Sequence, residues 1–254
     1  MHTGGIGTSL ELYPDVTKAK EKDFRATFEI KGKALYPQMK ILFAMMREIL
    51  MESRLDDEKR LKEILAMLKS RLQMSFQSSG HTTSALRALS YGSPLSKFKD
   101  DTDGIGFYEV VRDIEEHFEE KKAELIQNLK QLSRQIFRVD NVMISYTSSE
   151  DGLAPMEAAF REIKDTLYPE LDGEEIPCVL HGRKRNEGFK TSSKVQYVAR
   201  VGNFIDHGAQ YHGALQILKV ILSYDYLWQN VRVKGGAYGC MSNFNRIGEG
   251  YLIS

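Results

Sequence analysis

Phe24, Ala26, Phe28 and Ile30 share one parity, while Arg25, Thr27, Glu29 and Lys31 take the other. This alternation predicts a half-buried strand, wet on one side. Ile6, Thr8, Leu10 and Leu12 keep the same period until Pro14-Asp15 stops it. The connection over residues 15–23 is short and charged, which predicts two antiparallel neighbours. The period then changes. Ile41, Leu42, Met45, Ile49 and Leu50 recur at helical spacing over residues 37–52. Asp56 or Asp57 can cap a second helix, whose stripe is Leu61, Ile64, Leu65, Leu68, Leu72 and Phe76 and which ends near Ser78-Ser79-Gly80. Its other face, Lys59, Arg60, Lys62, Glu63, Lys69 and Arg71, reads as solvated. A looser segment at residues 85–89 leads to Gly92-Ser93-Pro94. Helices are predicted over residues 107–118 and 122–137, the second carrying Leu125, Leu129, Leu132 and Ile136. Residues 142–146, Val-Met-Ile-Ser-Tyr, read as a short buried strand.

Residues 147–155 are rich in Ser, Glu and Gly, and this shift suggests a boundary between residues 1–150 and 151–254. A helix over residues 155–167 and a polar stretch over 169–190 follow. Val195, Tyr197, Ala199 and Val201 alternate as a strand. Tyr211, Ala214, Leu215, Leu218, Ile221 and Leu222 form the expected core stripe of a long helix ending near Trp228. From Val231 the chain reads as extended again, and Gly248-Glu249-Gly250 precedes a last strand at Tyr251. The pattern ends there with no cap or turn. The expected fold class is α+β: two related α/β-sandwich-like units with largely antiparallel sheets and helices packed on one face, both truncated.

Composition narrows the function classes. Hydrophobic residues make up 42% of the 254, enough for a packed core. Lys+Arg and Asp+Glu are both 35, so bulk charge offers nothing to a nucleic acid or an anionic membrane. No apolar run approaches the ~20 residues of a membrane span. Cys178 and Cys240 alone do not make a disulfide framework, which points to a reducing, intracellular compartment. The N-terminus lacks a signal-peptide h-region and an arginine-rich transit pattern.

The candidate chemistry concentrates in Val231-Arg232-Val233-Lys234-Gly235-Gly236-Ala237-Tyr238-Gly239. Val231 and Val233 favour an extended backbone. Arg232 offers a rigid fork of donors and Tyr238 a phenol. On a straight strand the two would share a face but stand roughly 20 Å apart. Gly235 and Gly236 allow a bend that brings them together. The plainer reading is a hairpin with a glycine turn and two surface residues. No metal-ligand set emerges. The histidines are His2, His81, His117, His181, His207 and His212, and no H-E-x-x-H is present. Asp113-Ile114-Glu115-Glu116-His117 approaches the inverted H-x-x-E-H but opens on aspartate, and it reads as a charged helix face. His207 with His212, and Cys178 with His181, lack the spacing or the partner pair of a zinc site. Neither a G-x-S-x-G elbow nor a phosphate loop occurs.

Val201-Gly202-Asn203-Phe204, Tyr211-His212-Gly213-Ala214-Leu215, Tyr226-Leu227-Trp228 and residues 231–239 resemble the C-terminal half of the inverse-zincin peptidases. The resemblance is to the pitrilysin/insulinase group and its presequence-protease branch. His2-Thr3-Gly4-Gly5-Ile6, Lys33-Ala34-Leu35, Lys59-Arg60-Leu61 and Ser79-Gly80-His81 are similar to segments in the first half of that region. The resemblance implies a third family domain over residues 1–150, then a linker helix and the opening of a fourth over 151–254. It implies the non-zinc half of a zinc metalloendopeptidase that degrades unfolded peptides in a closed chamber. The missing partner is the N-terminal half that bears the zinc. It implies a catalytic and substrate-binding role for Arg232 and Tyr238, and close approach of the substrate at Gly235 and Gly236. Alone, such a chain is expected to be inactive. The rival readings are a non-catalytic peptide-binding or scaffold homologue, and a plain α+β domain with no site.

Overall fold

The computed structural model describes residues 4–170, 180, 182–192 and 194–254. In chain order the elements are β1 (Ile6–Pro14), β2 (Phe24–Gly32), α1 (Met39–Met51), α2 (Glu58–Ser78), α3 (Gly80–Leu89), α4 (Pro94–Asp103), α5 (Ile105–Glu116), α6 (Phe118–Ile136), α7 (Leu153–Lys164), β3 (Ala199–Asn203), α8 (Ala214–Ile221), a π-helix (Leu222–Val233), β4 (Met241–Phe244) and β5 (Glu249–Ile253). Helices with small antiparallel sheets make this an α+β protein, as the patterning predicted. Contacts divide the chain into two compact units, Met1–Glu11 with Ala26–Lys62 and His117–Ile176, and Leu12–Arg25 with Glu63–Glu116 and Pro177–Ser254.

In the first unit α1 packs on α7. Met39, Leu42 and Phe43 meet Met156, Ala159 and Ile163, with Ile6, Ala34, Met46 and Tyr146 around them. Each buried Met, Leu, Phe or Ile side chain here stabilises by about 1.5–3 kcal/mol, and Ala159 by less. The end of α6 is tied to the end of α7, where Val139 N–H donates to the Tyr168 carbonyl at 3.0 Å. The strand expected at residues 142–146 is absent. Val142, Met143 and Ile144 are all exposed, because a β-branched run without a pairing partner gains nothing from being extended. The β1–β2 pairing is as expected, with Gly4 N–H donating to the Lys33 carbonyl at 2.7 Å. Its parity is less clean than the sequence suggests, since Phe28 is 40% exposed.

In the second unit β5 is the central strand of a β3-β5-β4 sheet, antiparallel to both neighbours, with Ile253 facing Ala199 on one side and Met241 on the other. α3 packs against β3 and β5, so the segment read as loose is a helix. The following break is also the start of α4. Ser93 caps it, accepting from Ser96 N–H at 3.3 Å, and Pro94 occupies its first turn. Among the described residues no helix is long and apolar enough to cross a membrane.

Candidate functional site

The site region runs from α8 through the π-helix into β4. α8 begins as a helix of good formers, and the backbone does not return to strand at Val231 as the sequence suggested. It stays helical through Val233, with Lys234 N–H donating to the Gln229 carbonyl five residues back at 3.1 Å. Two causes outweigh the β-branched valines. The helix is already nucleated, so each added residue costs little. Leu227, at 1% exposure, roots the turn in the unit's core. The stripe expected to be core is only partly covered: Tyr211, Leu215 and Leu222 are half-buried, while Leu218 is 40% and Ile221 50% exposed.

The helix ends at the glycines, and each is required for a different reason. A Cβ on Gly235 would stand 2.5 Å from the Val231 carbonyl oxygen. Gly236 has φ 73°, the left-handed region, with open space around it. Gly236 N–H donates to the Arg232 carbonyl at 2.9 Å and Ala237 N–H to the Val231 carbonyl at 3.2 Å. These nested bonds are a Schellman-type closure, widened by one residue because the turns before it are π turns. The chain does turn at the glycines, but at a helix end and not within a strand. Gly236→Ala is expected to cost about 1–2 kcal/mol and Gly236→Asn less, because asparagine tolerates the left-handed region. Urea unfolding of the two variants checks the order.

Arg232 therefore lies on the last helical turn and Tyr238 just beyond the closure. Both are exposed, Tyr238 to 92%. Neither side chain is sealed in packing. The Arg232 guanidinium carbon is 4.3 Å from the centre of the Trp228 ring, one helical turn back. Lys234 turns to Asn230, donating to its side-chain oxygen at 3.3 Å, and Asn230 in turn donates to the Tyr226 carbonyl at 3.0 Å. After Tyr238, part-buried Cys240 carries a free thiol and β4 takes over at Met241. The contact of Trp228 with Arg232 is not readable from the sequence. Their four-residue spacing is meaningful only on a helix, and the valines argued for a strand.

The remaining candidates behave as surface groups. Glu115 and Glu116 are drawn to Lys69, at 2.6 and 3.9 Å. Among the described residues no three of His, Cys, Asp and Glu are grouped to hold a metal. His2, Cys178 and His181 lie outside the described residues.

Two family models match this chain, the region associated with subgroup C of the M16 peptidases over residues 1–114 and the PreP C-terminal domain over residues 186–253. The chain belongs to the M16 peptidase family. Within it the chain is presequence-protease-like and carries the C-terminal region. Protein HypA of Clostridium perfringens is 36% identical over 99% of this chain and 25% of its own length. Presequence protease 1, chloroplastic/mitochondrial, of Arabidopsis thaliana is 24% identical over 96% of this chain and 22% of its own length. The mitochondrial presequence protease of Kluyveromyces lactis is 24% identical over 94% and 25%. The chain thus spans about a quarter of the length of these relatives.

Proposed function

We propose that the chain is the part of a longer zinc-dependent endopeptidase that presents Arg232 and Tyr238 to an unfolded peptide. The observation that carries the reading is the helix end itself. It offers one guanidinium and one phenol to solvent on either side of a two-glycine closure. Peptide hydrolysis builds negative charge on the scissile carbonyl oxygen. A phenol O–H aimed at that oxygen stabilises the charge, and a guanidinium holds the peptide backbone or the same oxygen by charge-assisted hydrogen bonds. Around Gly236 the missing side chain leaves open space for an approaching peptide backbone, while Gly235 is needed for the turn that presents it.

The described residues do not group into a zinc-ligand set, so the metal would be held by the zinc-bearing N-terminal part of the longer protein. When bound, zinc activates water for attack on the peptide. This chain's own task is to bind, to orient and to stabilise charge. It is expected to show no turnover of an unstructured peptide by itself, even with added zinc. A peptidase assay of the 254-residue chain with and without chelator tests this. Chelator-sensitive cleavage by the chain alone would overturn the reading.

A further inference from the structure

We propose that Trp228 is a positioning residue for Arg232, stacking under its guanidinium so that the donors stay free and aimed. The inference rests on the reading of Arg232 as a substrate-contacting group. Among the described residues the other cation–ring pairs lie at 5.5 to 5.9 Å from the ring centre, whereas Arg232 and Trp228 lie at 4.3 Å. Among the described residues Arg232 makes no side-chain hydrogen bond and no ion pair, so this ring is its one partner. Lys234 on the same turn instead directs its charge to Asn230.

The stacking geometry matters chemically. A guanidinium lying on an aromatic face uses its π surface and leaves its five N–H donors pointing outward at the edge. A carboxylate partner would have consumed them. A free arginine would have to lose its rotamer freedom on each encounter with a peptide, whereas a stacked one has lost it already. The backbone that carries the indole is anchored, because adjacent Leu227 is buried and sits on the same π turns. Trp228 keeps 42% of its surface exposed, so the pair is open to a peptide without rearrangement.

Trp228 is the one tryptophan of the chain, which gives the stack its own signal. In the 254-residue chain, Arg232→Met is expected to lower iodide quenching of Trp228 about twofold relative to acrylamide quenching, because a cation over the ring draws the anion in. An unchanged ratio would overturn the stack. In the longer protein, kcat/KM is measured on a fluorogenic unstructured peptide. Trp228→Leu is expected to lose roughly tenfold, Trp228→Phe to stay near wild type, and Trp228→Leu with Arg232→Met to be no worse than Arg232→Met alone. A loss in Arg232→Met with none in Trp228→Leu would overturn the positioning role only. An Arg232→Met enzyme with unchanged kcat/KM would overturn the reading of Arg232 and the inference together.

Discussion

Tyr238→Phe in the longer protein is expected to lower kcat by about 10²–10³-fold while leaving stability unchanged. The substitution removes one oxygen and keeps the ring. The size of the loss is that of a single oxyanion donor, about 3 kcal/mol of barrier. Lost packing does not account for such an effect at this position, because Tyr238 is 92% exposed. A donor that acts only as charge develops lowers kcat and kcat/KM together, whereas a donor that holds the ground state raises KM. The expected pattern is the first for Tyr238. Arg232→Met should add a rise in KM, because a guanidinium also grips the peptide backbone before reaction. Unchanged kcat in Tyr238→Phe would return the residue to ordinary surface. The comparison is clean only if urea midpoints of variant and parent coincide, and the exposure of the ring predicts that they do.

The helices of this protein are legible because their signals are local. Asp57 does cap α2, accepting from Arg60 N–H at 3.0 Å, as its place before the apolar stripe implied. The β1–β2 hairpin follows from alternation and a short charged connection. α4 was equally legible through Ser93-Pro94, a cap followed by a first-turn proline, but the glycine before it reads as a break. The errors arise where the decision is not local. Val231 and Val233 have strand propensity, yet they continue a helix whose buried anchor, Leu227, lies a turn earlier. A stripe such as Leu218 and Ile221 fixes which face of a helix is apolar but not what covers it, and here these two residues are left exposed. In the candidate site the turn at Gly235-Gly236 was readable. The stack on Trp228 was not, since it depends on the helix. Nor was the most buried charge cluster, whose partners are 13 and 100 residues apart in sequence.

That cluster carries the largest stability effect. Arg87→Met is expected to destabilise the protein by about 3–5 kcal/mol, because it leaves buried Asp100 with no counter-charge and Glu187 with only the exposed Arg185 at 3.4 Å. The Arg87 side chain is 11% exposed, and its guanidinium donates to Asp100 at 2.7 Å and through two nitrogens to Glu187 at 2.9 and 3.1 Å. Asp100 is wholly buried and also receives Ile105 N–H at 3.1 Å and Gly106 N–H at 3.3 Å, the opening turn of α5. Tyr91 and Phe189 flank the guanidinium at 5.9 and 5.7 Å. The penalty arises from unpaired charge and not from any large intrinsic worth of the ion pairs. Combining Arg87→Met with Asp100→Asn and Glu187→Gln should therefore recover much of the loss in urea unfolding. The pH dependence gives a second, independent reading. The Arg87 hydrogen bond holds the Glu187 carboxyl below its usual value of 4.5, against the opposing effect of burial. A depressed folded pKa means the unfolded chain binds the proton more readily, so this contribution is full above about pH 4.5 and is lost as the pH falls through the lower folded value. Without Arg87 the largest lowering influence is gone, burial is opposed only by the Tyr91 hydroxyl and Arg185, and the folded pKa moves up, so the contribution shrinks. Wild type should then lose stability from this group on acidification below about pH 4.5, while Arg87→Met should lose less. Equal slopes in the two proteins would show that Glu187 does not depend on the guanidinium.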